Sequence, residues 1–351
     1  MYCDIICQVI DNLGDAGVSW RLAEQLSREY GWHIRFWIDQ PNPLEYLAPI
    51  QDRNNTHIEI HNWQPEHPIG FKAHSPNIDI LITSFCAALH ETDIRDLAQT
   101  NVRWIHLEYF SCEPWVPNFH LQSSPHPQFN IAKTIWIPSL LSGGGGIIRE
   151  RTLKILPQAT HPKFAKTSLK LFFFTYPQTH LKSWLENLLD SSCTIDLAAQ
   201  THYQSLLSST HHAKLQQSEF VPQAAFDQHL QHYDLVWVRG EDSVLRALLN
   251  GIPFVWHIYP QEDDAHWKKL RAFFDTITTY FNSDAKQALW QLWQTWNAHQ
   301  TPPKNTAALI ELYLDSWKQG LHHYVQDLFA QPDLASQLVS EIDPEFKNKT
   351  R

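Results

Sequence analysis

Asp11 and Asp15 lie four residues apart in Asp11-Asn12-Leu13-Gly14-Asp15-Ala16-Gly17-Val18-Ser19-Trp20, directly after an apolar run. Two carboxylates where a strand gives way to a helix can hold a general base near a substrate, and their repulsion raises the pKa of one of them. The same spacing suits a plainer role, in which Asp15 caps a helix starting near Gly17. The two roles are compatible for different residues.

A second segment, Arg239-Gly240-Glu241-Asp242-Ser243, follows Leu235-Val236-Trp237-Val238. Backbone N–H groups at a helix start bind phosphate, and an arginine beside them adds a forked charge. Ser243 can donate one more hydrogen bond, Gly240 lets a ligand approach the main chain, and Glu241 can grip sugar hydroxyls. A capped helix whose acids favour its own dipole accounts for the same letters. Phe174, Tyr176 and Phe226 fall at or near strand ends in this half, where a flat ring can stack on a nucleobase or simply pack.

Other clusters carry less. Gly143-Gly144-Gly145-Gly146 lacks the Lys-Ser/Thr of a nucleotide-binding loop and reads as a turn, with Arg149 and Arg151 free to meet an anion or an acidic patch. His257, Asp263, Asp264 and His266 match no zinc spacing in a chain with 21 histidines, so no metal site is assigned. No Gly-x-Ser-x-Gly elbow is present, and the first turn lacks Gly-x-Gly-x-x-Gly, which weighs against a serine hydrolase and a nicotinamide enzyme.

Both acidic segments need a strand-to-helix edge, and the pattern supplies one for each. Tyr2–Ile10, His33–Ile38, Ile58–Ile60, Asp79–Thr83 and Arg103–Leu107 read as strands, with a helix over Gly17–Tyr30 ending at Gly31. A proline-rich loop runs from Ser111 to Gln128, and a linker from Lys154 to Thr167. The pattern restarts with strands at Leu169–Phe174 and Cys193–Leu197, one ending near Phe220-Val221-Pro222, then Leu235–Val238 and Phe254–Ile258. Helices are expected at Leu181–Leu189, Gln223 to about His232 and Asp242–Asn250, with a mostly helical tail from Trp290. This alternation predicts α/β architecture with parallel sheets. With 351 residues, two domains are the natural division. Ligands in such sheets bind at the carboxyl ends of strands, so two edges suggest a cleft between two α/β halves.

The formal charge of −10 argues against holding nucleic acid by its phosphates. The five cysteines are odd in number and form no Cys-x-x-Cys, which reads as reduced usage. No stretch approaches the roughly 20 apolar residues of a membrane span, and no signal peptide is evident. A cytoplasmic protein is expected.

Taken together, these motifs resemble the bacterial protein-arginine rhamnosyltransferases that modify elongation factor P, the EarP family. The matching stretches are Val9 to Asn12, Ser19 to Ala23, Leu107-Glu108-Tyr109, Ser124-Pro125 and Gly145 to Glu150. They continue through Phe220 to Gln223, Phe226-Asp227, Arg239 to Ser243, Pro253-Phe254 and Trp256 to Gln261. Leu13 and Ala16 depart from the family's usual apolar choices. The resemblance implies a GT-B fold, with two Rossmann-like domains facing a central cleft. It implies an acceptor domain at 1–153, with a C-terminal helix from 326–351 returning to it, and a donor domain at 154–325. It implies transfer of rhamnose from dTDP-β-L-rhamnose, a co-substrate rather than a cofactor, onto an arginine of elongation factor P, with inversion and without a metal. By position, Tyr176, Gln223, Phe226, Arg239, Asp242 and Ser243 correspond to donor-site residues. Asp15, Asp11 and Glu241 correspond to the acids of the reaction, with Asp15 the base. The Ser111–Gln128 and Gly143–Arg151 segments are candidates for acceptor contact. The rival readings are a GT-B transferase with a glycan or lipid acceptor, and a nucleotide-binding interaction protein without turnover. Neither nucleic acid nor membrane is expected as a partner.

Overall fold

The computed structural model describes residues 1–74, 76–155, 168–199, 201–204, 206 and 213–343. The expected linker lies outside the described residues from position 156 to 167, as does the expected C-terminal helix beyond 343. The chain divides into two compact units, Met1–Leu153 with Gln331–Arg351, and Lys154–Ala330.

The strands of the first unit are β1 (Tyr2–Cys7), β2 (His33–Ile38), β3 (Ile58–Asn62), β4 (Ile80–Ser84), β5 (Arg103–Leu107), β6 (Ser123–Pro125) and β7 (Ala132–Trp136). They form one sheet in the order β3-β2-β1-β4-β5-β7-β6, parallel except for β6 against β7. Its helices are α1 (Asn12–Tyr30), α2 (Asn42–Leu47), α3 (Glu91–Leu97) and α4 (Val116–Phe119). In the second unit β8 (Leu169–Phe173), β9 (Cys193–Leu197), β10 (Leu215–Gln217), β11 (Leu235–Arg239) and β12 (Phe254–His257) form a parallel sheet ordered β10-β9-β8-β11-β12. Its helices include α5 (Leu181–Leu189), α6 (Gln223–Leu230), α7 (Glu241–Leu249), α8 (Ala265–Ile277), α9 (Ser283–Asn297) and α10 (Thr306–Phe329); α11 (Leu334–Ile342) then belongs to the first unit.

β1 shows why the first sheet needs helices on both faces. Cys3, Ile5 and Cys7 enter a core with Trp20, Leu22 and Leu26 of α1, while Ile6 points into a second core with Trp37, Leu81 and Trp104. Strands buried on both faces read as near-continuous apolar runs, which is how β4 begins and how β1 reads apart from the buried Asp4, which accepts from Arg35 of β2. α1 stops at Gly31, whose φ of 69° lets its N–H reach Leu26 O and Ser27 O. α11 closes the α1 face. Leu334, Ala335, Leu338, Val339 and Ile342 join the same core, and Asp333 caps the helix by accepting from Ser336 N at 3.1 Å.

The core of the second unit is rich in aromatic rings. Phe173 stacks on Trp237 at 4.3 Å, and Trp184 and Trp296 meet edge to face at 5.2 Å. Trp293 Nε1 donates to Phe254 O at 2.6 Å and Trp184 Nε1 to Gln300 O at 2.9 Å. The buried indole nitrogens of Trp237 and Trp296 find no such acceptor among the described residues, and these rings serve as packing groups.

Several boundaries differ from expectation. β1 ends at Cys7 and α1 begins at Asn12, not Gly17, so Asp15 lies inside the first helical turn rather than before it. The strand expected to end near Phe220-Val221-Pro222 is β10, an edge strand at Leu215–Gln217. The Ser111–Gln128 stretch contains α4 and β6. Position 325/326 falls inside α10. Among the described residues no helix is long and apolar enough to cross a membrane.

Candidate active site

In the first unit the functional edge is the passage from β1 into α1. Asp11 occupies the cap position, and Gly14 N donates to Asp11 O at 2.6 Å. Asp15 reaches back: its Oδ2 accepts from Ile10 N at 2.8 Å and from Asp11 N at 2.9 Å. Two amides just ahead of the helix are thereby satisfied by one carboxylate oxygen, the reciprocal half of a capping box. The cap position expected for Asp15 is thus taken by Asp11, and Asp15 instead holds the chain ahead of the helix from inside its first turn. Asp15 is only 2% exposed. Burial pushes its carboxyl pKa up, the hydrogen bonds from Asp11 N, Ile10 N and Tyr109 oppose the rise, and the Asp11 charge adds to it. Asp11 leans over Gly14, where an added Cβ would stand 2.7 Å from Asp11 Oδ2.

The end of β5 faces this turn. The Tyr109 ring stacks on Phe85 at 4.5 Å and 17°. One residue before Tyr109, Glu108 Oε1 lies 3.4 Å from His106 Nε2, and the His106 Nδ1 meets Thr83 Oγ1 at 2.9 Å. The hydrogen bond with His106 holds the Glu108 carboxyl below its usual range, against its partial burial.

The four-glycine run is a packing device. Gly145 fits against Trp136, whose Nε1 donates to Gly145 O at 3.2 Å, and a Cβ on Gly146 would meet Gln337 at 2.6 Å. Leu334 N donates to Ile147 O at 2.8 Å, so the run seats α11. Arg149 and Arg151, expected to meet an anion or an acidic patch, have partners in their own unit. Arg149 Nη2 donates to Gln331 O at 2.6 Å, and Arg151 lies over the Tyr30 ring at 4.7 Å, 3.6 Å from Glu29.

In the second unit Arg239 ends β11 and Gly240 caps α7 with φ 67° and ψ 175°, a conformation open essentially to glycine alone. The Arg239 guanidinium lies 5.0 Å from the Phe174 ring centre and 4.8 Å from that of Tyr176. Phe174 in turn lies 6.1 Å from Phe226. The four predicted residues are thus one cluster, but the faces of Phe174 and Tyr176 are engaged by an arginine.

Two further expectations change. Gln223 Nε2 donates to Asp242 Oδ2 at 3.0 Å, tying the starts of α6 and α7 together. Glu241 Oε1 pairs with Lys269 Nζ of α8 at 2.7 Å, both side chains about 15% exposed. Ser243 follows in the first turn of α7 and is partly exposed. Behind them Asp227 accepts from Arg246 Nε and Asn250 Nδ2, each at 2.8 Å, and Arg246 is 2% exposed. Sequence reasoning gave Asp227, Arg246 and Lys269 no role, and only the charge pattern of α6, α7 and α8 hints at it. Tyr259, also unassigned, stands 58% exposed, 5.5 Å from Tyr176.

His257 is 2% exposed, and burial, helped by His299 and Arg239, pushes its pKa down to about 3. It is a neutral ring packed on Tyr176 and Trp296. His266 accepts from Gln261 N, and Asp263 and Asp264 shape the turn with φ of 56°. Among the described residues no group of three or more His, Cys, Asp or Glu side chains is arranged to hold a metal ion.

Chemically, the second edge has the components that an anion site uses: a guanidinium, the N–H groups of a helix start, and a glycine that lets a ligand approach. The first edge offers a buried, oriented carboxylate with a raised pKa.

The sequence matches the family model described as elongation-factor P (EF-P) rhamnosyltransferase EarP over residues 3–342. It is 31% identical to a protein-arginine rhamnosyltransferase of Neisseria meningitidis serogroup B over 98% of both chains. It is 32% identical to the enzyme of that name from Pseudomonas putida, over 96% of this chain and 97% of the other. Among solved structures, a chain described under EarP-mediated arginine glycosylation of translation elongation factor EF-P superposes with a TM-score of 0.60 at 23% identity, covering 96% of this chain and 97% of that one. UGT89C1 of Arabidopsis thaliana, in complex with UDP-L-rhamnose, gives 0.56 at 10% identity over 98% of both.

Proposed function

Because the chain belongs to the EF-P rhamnosyltransferase family and has the GT-B glycosyltransferase fold, we propose that it transfers rhamnose from dTDP-β-L-rhamnose to one arginine of elongation factor P, inverting the anomeric carbon. The observation that carries the proposal beyond family membership is Asp15: a carboxylate buried to 2% exposure, one of its oxygens already committed to two amides.

Guanidinium is a poor nucleophile, protonated at neutral pH with delocalised lone pairs. Asp15 takes one of its protons as the C–N bond forms, and Asp11 holds the cation at the edge. The bond from the anomeric carbon to the diphosphate oxygen breaks on the opposite face, and its electron pair leaves with dTDP. One N–H has been replaced by N–C, so the product remains a guanidinium cation. The charge gathering on the leaving diphosphate falls to Arg239 and the N–H groups at Asp242 and Ser243. Phe226, Tyr176 and Gln223 hold the nucleotide end of the donor. Glu241, fixed by Lys269, engages hydroxyls of the donor sugar or ribose.

Incubation with dTDP-rhamnose and elongation factor P, followed by intact-mass analysis and peptide mapping, tests this. One deoxyhexose on one arginine is expected. An unmodified factor with continued dTDP release would redirect the assignment to a glycan or lipid acceptor.

A further inference from the structure

We propose that Tyr109 is a positioning residue for the transfer: its hydroxyl, held in place by the ring's stack on Phe85, fixes the Asp15 carboxylate in the orientation in which it meets the acceptor. The inference rests on Asp15 being the base. Tyr109 follows β5, separated from α1 by most of the first sheet's sequence, and its hydroxyl donates to the Asp15 carboxylate. The two backbone amides already held by Oδ2 come from the chain just ahead of α1. They move with the helix start, so they cannot by themselves register the carboxylate against the rest of the sheet. Tyr109 supplies that registration from a different strand.

The support beneath it is costly. Phe85, at the end of β4, has φ of 57°, a left-handed conformation unusual for a bulky residue. Strained backbone persists where surrounding structure enforces it, and it clusters at functional sites. Here the strain turns the Phe85 ring under Tyr109, at 4.5 Å and 17°, while Phe85 N donates to Leu107 O at 2.7 Å and locks the ends of β4 and β5 together. Phe85 itself is 5% exposed. Cys86 Sγ lies 3.7 Å from the Tyr109 hydroxyl.

A hydrogen bond to the ionised form also opposes the desolvation of Asp15, so Tyr109 keeps the base charged at lower pH than burial alone would permit. The groups acting on Asp15 are Asp11 at the cap of its helix, the Ile10 and Asp11 amides ahead of it, and Tyr109, and the buried thiol of Cys7 on β1 feels its charge in turn.

The test is the pH profile of kcat for Tyr109→Phe, which keeps the ring and its stack. Turnover should fall roughly tenfold to a hundredfold, KM for dTDP-rhamnose should stay unchanged, and the acidic limb of kcat should move to higher pH. Placing 3,5-difluorotyrosine at position 109 leaves the fold intact and strengthens the donor, so the acidic limb should move to lower pH. A limb that stays put in both proteins overturns the inference, whatever happens to kcat. Asp15→Asn, measured alongside, separates the two levels. If that variant turns over normally, the base assignment itself fails; if it is inactive while the Tyr109 variants keep the wild-type limb, only the positioning role fails.

Discussion

Asp15 shows how one side chain serves two demands of opposite sign. Its pKa in the fold stands above the ordinary carboxylate value because burial outweighs three hydrogen bonds. A group raised in this way contributes its full stability below the unfolded pKa and loses it as pH rises through the folded one. At neutral pH the ionised carboxylate therefore costs stability that the protonated form does not. Asp15→Asn should accept from the same two amides through its carbonyl oxygen, keep dTDP affinity, and lower kcat by about 10²–10⁴-fold, the usual worth of a general base. Thermal melts should find the variant at least as stable as the wild type at neutral pH, with the difference shrinking as pH falls. A variant that melts far lower at neutral pH would make Asp15 a structural residue first. Arg239→Ala removes the forked charge, and calorimetry should read a dTDP affinity about 10- to 100-fold weaker, the size of a lost charge-assisted hydrogen bond. Asp11, Asp15, Arg239 and Glu241 are legible in the sequence as candidates because acids and an arginine beside glycine at strand-to-helix edges suit chemistry as well as helix capping. Tyr109 and Lys269 are not. Each is chemically ordinary and is selected only by the side chain it touches.

The elements of the second site are braced from behind. Asp227 of α6 accepts from Arg246 and Asn250 of α7, and Gln223 at the start of α6 meets Asp242 at the start of α7. Phe226 and the α7 start proposed to take the donor's diphosphate are thus held as one piece. Asp227→Ala removes the carboxylate that pairs with the buried Arg246, and breaking a buried pair from one side costs about 3–5 kcal/mol. The melting temperature of the second unit should fall by many degrees, with dTDP affinity falling alongside. Gly240→Ala should do the reverse, costing about 1–3 kcal/mol of backbone strain at φ 67° while its larger effect appears in dTDP affinity, because the helix start is re-aimed. Sequence periodicity found β1, β2, β4, β5, β8, β9, β11 and β12 because their buried faces are continuous and apolar. It misplaced β10 because an edge strand of three residues, Leu215–Gln217, with two of them exposed, carries no such pattern. It began α1 at Gly17 because Gly14 reads as a turn residue, although a first-turn glycine costs a helix little when Asp15 caps from within.

At the scale of the molecule, each unit has its own sheet and its own core, and the first is completed by a segment from the far end of the chain. The residues themselves predict only a mostly helical tail from Trp290; the return of the last helix to the first domain is what the family resemblance implies, and the spacing of Leu334, Leu338, Val339 and Ile342 does not by itself say which core α11 closes. The contacts do: Gly146 and Ile147 seat its start, and Gln25 Nε2 reaches Asp333 Oδ1 at 3.1 Å. Burying a large apolar side chain is worth about 1.5–3 kcal/mol, so these four together rival the roughly 5–15 kcal/mol that holds an ordinary domain folded. Removing residues 331–351 should therefore unfold the first unit and spare the second. Scanning calorimetry distinguishes the two outcomes because dTDP labels one of them. Nucleotide at a hundredfold above its Kd adds about 2.7 kcal/mol to whichever unit binds it, several degrees for a domain of this size. The full-length chain should show a nucleotide-shifted transition and an unshifted one, and the truncated chain the shifted one alone. If truncation instead removed the nucleotide-sensitive transition, the assignment of Arg239 and the α7 start as the donor site would be lost with it.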